Sequence, residues 1–208
     1  MLRVCLPNPQ PAARRVAQDG PMNTLPPFPA LDWVPALQRP DLLAPVTAAA
    51  LAAWAGQDPR VASQVMLAPI DPALADTTAL TAAYDLPLAA SANCVVVLGR
   101  RAGSERTAAA VVLATTRADV NSRIRHHLDV RKASFLAMER AVAETGMEYG
   151  GITPVGLPAA WPVLVDTRVA EADHVIIGSG VRGSKLALPG ALMAQMPGAH
   201  VIKDLALG

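Results

Sequence analysis

The densest group of residues able to do chemistry is the run Glu148-Tyr149-Gly150-Gly151-Ile152-Thr153-Pro154-Val155-Gly156-Leu157-Pro158. Adjacent glycines lack Cβ atoms and reach positive φ, so successive amides can converge on one concavity. Such a nest suits a phosphate, a carboxylate or the oxyanion of an acyl-transfer reaction. The plain alternative is a glycine-rich hairpin corner. A second run, Val175 to Lys185, contains Gly178-x-Gly180-x-x-Gly183 after an apolar segment, with Asp204 at about the spacing of a ribose-binding acid. It also nearly spells a phosphate loop, but Ser184-Lys185 reverses the required order. Both nucleotide readings need a helix directly after the glycines. Leu186-Ala187-Leu188 before Pro189-Gly190 reads instead as a strand and a turn, so no nucleotide cofactor is expected.

A third signal is basic. Arg117, Arg123, Arg125, Arg131 and Lys132 stand against Asp119 and Asp129, with His126 and His127 beside them. On a helix this segment would guide an RNA backbone, or else form a solvated face. The two histidines diverge by about 100° on a helix and do not make a metal pair. Cys94 heads an apolar strand, where cysteine behaves as a small buried residue. No G-x-S-x-G elbow is present, which counts against an ordinary serine hydrolase.

The elements that must position these residues follow from periodicity and breakers. Asp41 to Trp54 reads as a helix with Asp41 as N-cap and Leu42, Leu43, Val46, Ala50 and Ala53 as its apolar stripe. Thr77 to Tyr84 is a second helix, stopped by Pro87. Val65-Met66-Leu67 is a short strand. Cys94 to Leu98, a Gly99–Gly103 hairpin and Ala109 to Leu113 form a strand pair. Thr116-Arg117-Ala118-Asp119 looks like a capping box opening a helix whose inner face is Val120, Ile124 and Leu128. A helix over Leu136–Glu144 ends at Gly146. The apolar runs Val163–Val165, Val175–Ile177, Lys185–Leu188 and His200–Ile202 complete a pattern of short strands interleaved with short helices. The expected fold class is α+β, a curved mixed β-sheet tending toward a barrel, with flanking helices.

The 208 residues are 52% hydrophobic and 17% charged, with a net charge of +1, enough to enclose a core and too apolar for a wholly disordered chain. Near-neutral charge disfavours a protein that coats DNA. No apolar run reaches the ~20 residues of a membrane span, and the first 20 residues lack a signal-peptide core. Cys5 and Cys94 make neither a disulfide framework nor a zinc set. A cytoplasmic protein is therefore expected. Ten of the 19 prolines precede residue 46, so residues 1–30 read as a proline-rich arm, expected to be disordered, and 31–208 as a single domain. Met22 offers a second start.

Taken in order, Lys132-Ala133-Ser134, Gly150-Gly151-Ile152-Thr153-Pro154, Val165-Asp166 and Gly178-Ser179-Gly180-Val181-Arg182-Gly183 give a sequence that resembles the YbaK/EbsC family, the editing domain associated with prolyl-tRNA synthetase. The resemblance spans roughly 60–208 and is strongest from Lys132 onward. It implies a curved mixed sheet and a free-standing aminoacyl-tRNA deacylase, which clears a wrong amino acid from the terminal ribose using a positioned water and backbone amides. It needs no cofactor and no metal. The implied catalytic residues are Asn93, Gly150, Gly151, Ile152, Thr153 and Pro154. Lys132, Asp166, Gly178, Ser179, Gly180, Arg182 and Lys185 would bind substrate, and Arg117, Arg123, Arg125 and Arg131 the tRNA. Lys132 and Asp166 have structural readings too, Asp166 as the cap of the turn after its strand. The implied partner is the acceptor end of an aminoacyl-tRNA, with a synthetase as a further partner, and neither membrane nor DNA. One departure stands out. Where the family carries a lysine at the start of a strand, this chain has Asn93, and its three lysines are Lys132, Lys185 and Lys203. Where the family is often acidic after its Arg-Gly turn, this chain has Ser184-Lys185, which suggests a cation returned from across the cleft. The alternative is a catalytically silent member that binds a tRNA end or a small metabolite.

Overall fold

The computed structural model of the chain describes residues 25–208, so residues 1–24 of the expected arm lie outside the described residues. Of the arm's remaining residues, Phe28 is buried against Leu31, Ala68, Ile70 and Leu80, so the packed domain includes it. A short strand, β1 (Val34–Pro35), leads to α1 (Pro45–Gln57). This helix starts later than Asp41. The residue before a proline is pushed out of the helical region, and Ala44, at φ −61° and ψ 143°, is the N-cap. Asp41 instead pairs with Arg39 within a 3-10 turn, Pro40–Leu42. Thr47, Leu51 and Trp54 form the buried stripe of α1.

Next come α2 (Arg60–Gln64), β2 (Met66–Pro69) and α3 (Thr77–Ala83). Asp76 caps α3, its carboxylate accepting from the amides of Thr78 and Ala79. β3 (Ala92–Arg101) and β4 (Ser104–Leu113) pair over ten residues through the two-residue turn Ala102-Gly103. Both turn residues have positive φ, which matches the right-handed twist of the strands.

The basic segment is not one helix. Arg117–Ala118 forms β5, and Asp119 rather than Thr116 is the cap, accepting from the Ser122 amide. A π-helical turn, Val120–Ile124, runs into α4 (Arg125–His127), and Lys132 begins β6 (Lys132–Phe135). Val120, Ile124 and Leu128 are buried together, as their spacing requires.

α5 (Met138–Thr145) ends on Gly146 at φ 67°. β7 (Val163–Asp166), α6 (Thr167–Ala170), β8 (Val175–Gly178), β9 (Ser184–Leu188), α7 (Gly190–Met193), β10 (Ala199–Ile202) and β11 (Ala206–Leu207) follow.

One sheet has the order β1-β2-β9-β8, all antiparallel. The other runs β10-β7-β4-β3-β6, with β7 parallel to both its neighbours. β5 and β11 form a separate ribbon. The main apolar core, built on Leu51, Trp54, Val111, Val165, Ile177 and Leu186, lies between the two larger sheets. They meet at one isolated parallel bridge, Ser91 to Ile176, and do not close into a barrel among the described residues. The seam opened by that bridge is where the chemistry-bearing residues gather. The segment after Gly183 is strand β9, so the dinucleotide reading of the Gly178 run fails for want of a helix.

Candidate active site at the sheet seam

A cleft of about 490 Å³ opens at the seam. Its walls come from Ser91 and the first residues of β3, Ala92 to Val95, Ile176 to Gly178 of β8, Lys185 of β9, the first turn of α3, and the loop residues Tyr149, Gly150 and Ile152. Each element brings a different chemistry. β3 presents Asn93, whose carboxamide oxygen accepts from the Thr77 hydroxyl at 3.0 Å, while its NH2 group has no acceptor among the described residues. Burial pushes the neighbouring Cys94 thiol up to about 12, so it is neutral at physiological pH and a poor nucleophile.

The two glycine runs are bound to each other. The Gly180 amide donates to the Gly151 carbonyl at 2.8 Å, and the Glu148 amide to the Gly180 carbonyl at 2.9 Å. A Cβ on Gly178 would stand 2.4 Å from the Gly151 oxygen and 2.7 Å from the Ile152 oxygen, so only glycine permits this approach. A Cβ on Gly151 would meet the Val181 carbonyl at 2.5 Å. Arg182 completes the clamp: its guanidinium donates to the carbonyls of Tyr149 and Pro72, and its amide to the Glu148 carboxylate.

The clamp decides which amides the loop can offer. That of Gly151 is spent on the Glu148 carbonyl at 2.9 Å, and that of Thr153 points to the Met147 sulfur at 3.4 Å. Pro154 has none, and it lines a separate apolar groove with Trp54, Leu157 and Trp161. Gly150 and Ile152 line the cleft, and their amides have no acceptor among the described residues. Within Gly150–Pro154, these two amides are the ones left free to donate.

The other expected site residues fall in different places. Gly178 lines the cleft, while Ser179 and Gly180 lie beneath it: the Ser179 carbonyl accepts from the Ala44 amide, and the Ser179 hydroxyl bonds the Ser184 carbonyl. Asp166 lies outside the cleft, at the end of β7, where it accepts from the amides of Arg168 and Ala206. Lys132 and Arg131 line a shallow groove at the β3–β4 hairpin, with Arg100 and Arg101. Arg117 sits on β5, Arg123 pairs with Asp204 at 3.7 Å, and Arg125 donates to the Asn121 carbonyl. These arginines do not share a helix. His127 packs against His200 of β10, ring centroids 6.0 Å apart, and no cluster of three metal-binding side chains occurs among the described residues.

Lys185 is the residue whose setting is least like its neighbours. It is 7% exposed, within a strand buried along its whole length, and its ammonium donates to the Ala75 carbonyl at 2.8 Å. Burial pushes it down to about 8, repulsion from Arg182 adds to the fall, and Asp76 opposes it. Sequence reasoning missed the cleft residues Asp76, Thr77 and Ser91, and named Tyr149 only as part of the glycine run. The Asp-Thr-Thr cap of α3 was the one local signal for them; Ser91 had none.

This constellation lies within a recognised family domain. The family model for the aminoacyl-tRNA editing domain matches residues 71–195. The chain belongs to that family. The editing domain's fold is also found among solved structures. A hypothetical protein, APE2540, superposes with a TM-score of 0.64 at 20% identity, covering 76% of this chain and 99% of that one. A candidate trans-editing enzyme for prolyl tRNA synthetase gives 0.61 at 16% identity, covering 76% and 98%. A search of the curated proteins gave no match. Among the described residues, no helix is long and apolar enough to cross a membrane.

Proposed function

We propose that this editing domain hydrolyses, in trans, the ester joining a wrong amino acid to the terminal ribose of a tRNA, with the seam cleft as its active site. The carrying observation is that Gly150 and Ile152, whose amides have no acceptor among the described residues, line the same cleft as Asn93. An aminoacyl ester is already activated. Orienting it beside a water and donating hydrogen bonds where charge develops supplies much of the required acceleration without a protein nucleophile. Asn93 holds the ribose or the ester by its NH2 group, its orientation fixed by Thr77. The cleft walls act as a steric sieve on the aminoacyl side chain. Arg131 and Lys132, neither in an ion pair among the described residues, are the tRNA-backbone contacts this reading favours.

The test is deacylation of a panel of tRNAs, each charged with a correct or an incorrect amino acid, by the purified full chain. Selective turnover of one or a few mischarged species is the expected result. Failure to accelerate hydrolysis of any of them overturns the reading.

A further inference from the structure

Two side chains in the described residues are both charged and buried: Asp166 and Lys185. Asp166 is satisfied, holding two backbone amides and lying 3.9 Å from the Arg168 guanidinium. Lys185 is not. It makes one hydrogen bond, to the Ala75 carbonyl, and no salt bridge, so two of its three N–H donors have no protein acceptor among the described residues. A buried cation without an ion pair costs stability, and such a cost persists where function holds it in place. A second, independent observation points the same way. Ser91, 4% exposed and lining the same cleft, has a buried hydroxyl with no partner. The seam thus holds two polar groups whose hydrogen-bonding capacity the described residues leave unfilled. Asn93, across the cleft, carries no charge, so the cleft's cation comes from β9 and not from β3.

We propose that Lys185 is a catalytic residue, its ammonium donating to the ester carbonyl oxygen as that oxygen becomes an oxyanion. This deepens the deacylase reading and rests on it. Water oxygen bonds to the carbonyl carbon, and the carbonyl π pair moves onto oxygen, where Lys185 and the loop amides receive it. The pair then returns, the carbon–ribose oxygen bond breaks, and the ribose oxygen takes up the proton that water loses. The products are the free amino acid and a tRNA with both terminal hydroxyls restored. The charged groups facing Lys185 are Arg182, from the preceding turn, and Asp76, at the cap of α3.

The experiment compares wild type, Lys185→Met and Lys185→Arg on whichever mischarged tRNA the wild type hydrolyses. Met keeps the length of the stem and removes the charge. Lys185→Met should lose about 100- to 1,000-fold in kcat with little change in KM, the usual scale for deleting an oxyanion donor. Its melting temperature should equal or exceed that of wild type, because a buried charge has been removed. Lys185→Arg keeps the charge and should recover part of the rate. The ratio of wild-type to Lys185→Met rates, each corrected for spontaneous hydrolysis, should be flat below about pH 8 and fall above it as the ammonium is lost. A Lys185→Met enzyme with wild-type kcat overturns the proposal, as does a change confined to KM. A lowered melting temperature together with a pH-independent rate ratio assigns the lysine to structure instead. A wild type inactive on every tRNA is a different failure, since it removes the deacylase reading itself.

Discussion

Lys185 also ties the cleft to the stability of the fold, and the sign of that link is fixed. Its folded value of about 8 lies below the ordinary 10.5 of a lysine. Below about pH 8 both folded and unfolded chains carry the proton, and the folded state bears the full cost of burying it. Between the two values the unfolded chain keeps a proton that the folded one has released, so folding stability rises with pH across that window. Above it the cost is gone. Urea melts near pH 7 and near pH 9.5 should therefore show wild type gaining about 2 kcal/mol relative to Lys185→Met over that interval. A pH-independent difference between the two proteins would mean that the lysine is already paired or solvated in the folded state.

At the scale of elements, what could be read from the sequence followed from whether the deciding contact was local. The apolar runs at Val163, Val175 and Lys185 became strands, and Gly146 ended α5, because side-chain pattern and left-handed φ are properties of a few consecutive residues. Thr116 misled for the opposite reason. Arg117–Ala118 is drawn out of the helix by pairing with Ala206–Leu207, nearly 90 residues on, and no window around Thr116 contains that partner. The cleft shows the same division. The two glycine runs were visible as runs, but their binding to each other, and the seam that joins them to Ser91, Asp76 and Lys185, depend on long-range contacts. Asp166 is the instructive case among the expected site residues. Its carboxylate caps α6 through the Arg168 amide at 2.8 Å and anchors the Ala206 amide at 2.9 Å, holding β11 where β5 needs it. Asp166→Ala should cost about 2–4 kcal/mol by losing a cap and leaving a buried amide without its acceptor. Its kcat on the same tRNA should stay within about twofold of wild type in the folded fraction, since loss of a cap acts on stability. A large fall in kcat at full folding would return Asp166 to the substrate site.

Across the whole molecule, a net charge of +1 gives no general attraction for a polyanion, so tRNA affinity has to come from where cations are placed. β3 supplies the geometry. It starts in the cleft at Ala92–Asn93 and ends at a hairpin groove lined by Arg100, Arg101, Arg131 and Lys132. The eight residue steps from Asn93 to Arg101 span about 26 Å, a length over which a tRNA acceptor end in the cleft can lay its helical stem near the hairpin. Arg100 is held by Glu105 and Arg101 by Asp129, which leaves Arg131 and Lys132 as the cations without an acidic partner there among the described residues. The double variant Arg131→Glu/Lys132→Glu should raise KM for full-length mischarged tRNA by about tenfold or more at low salt, while hydrolysis of the matching aminoacyl-adenosine is unchanged. Its dependence of log KM on log salt should flatten by roughly one for each phosphate that the variant no longer neutralises. Equal loss on both substrates would place the defect in the cleft, and unchanged kinetics on the tRNA would move the stem to another face of the protein. The comparison of a long and a short substrate is needed because a charge reversal some 26 Å along β3 can alter docking without touching the ester, which separates the surface proposed to dock the tRNA from the seam proposed to cleave its ester.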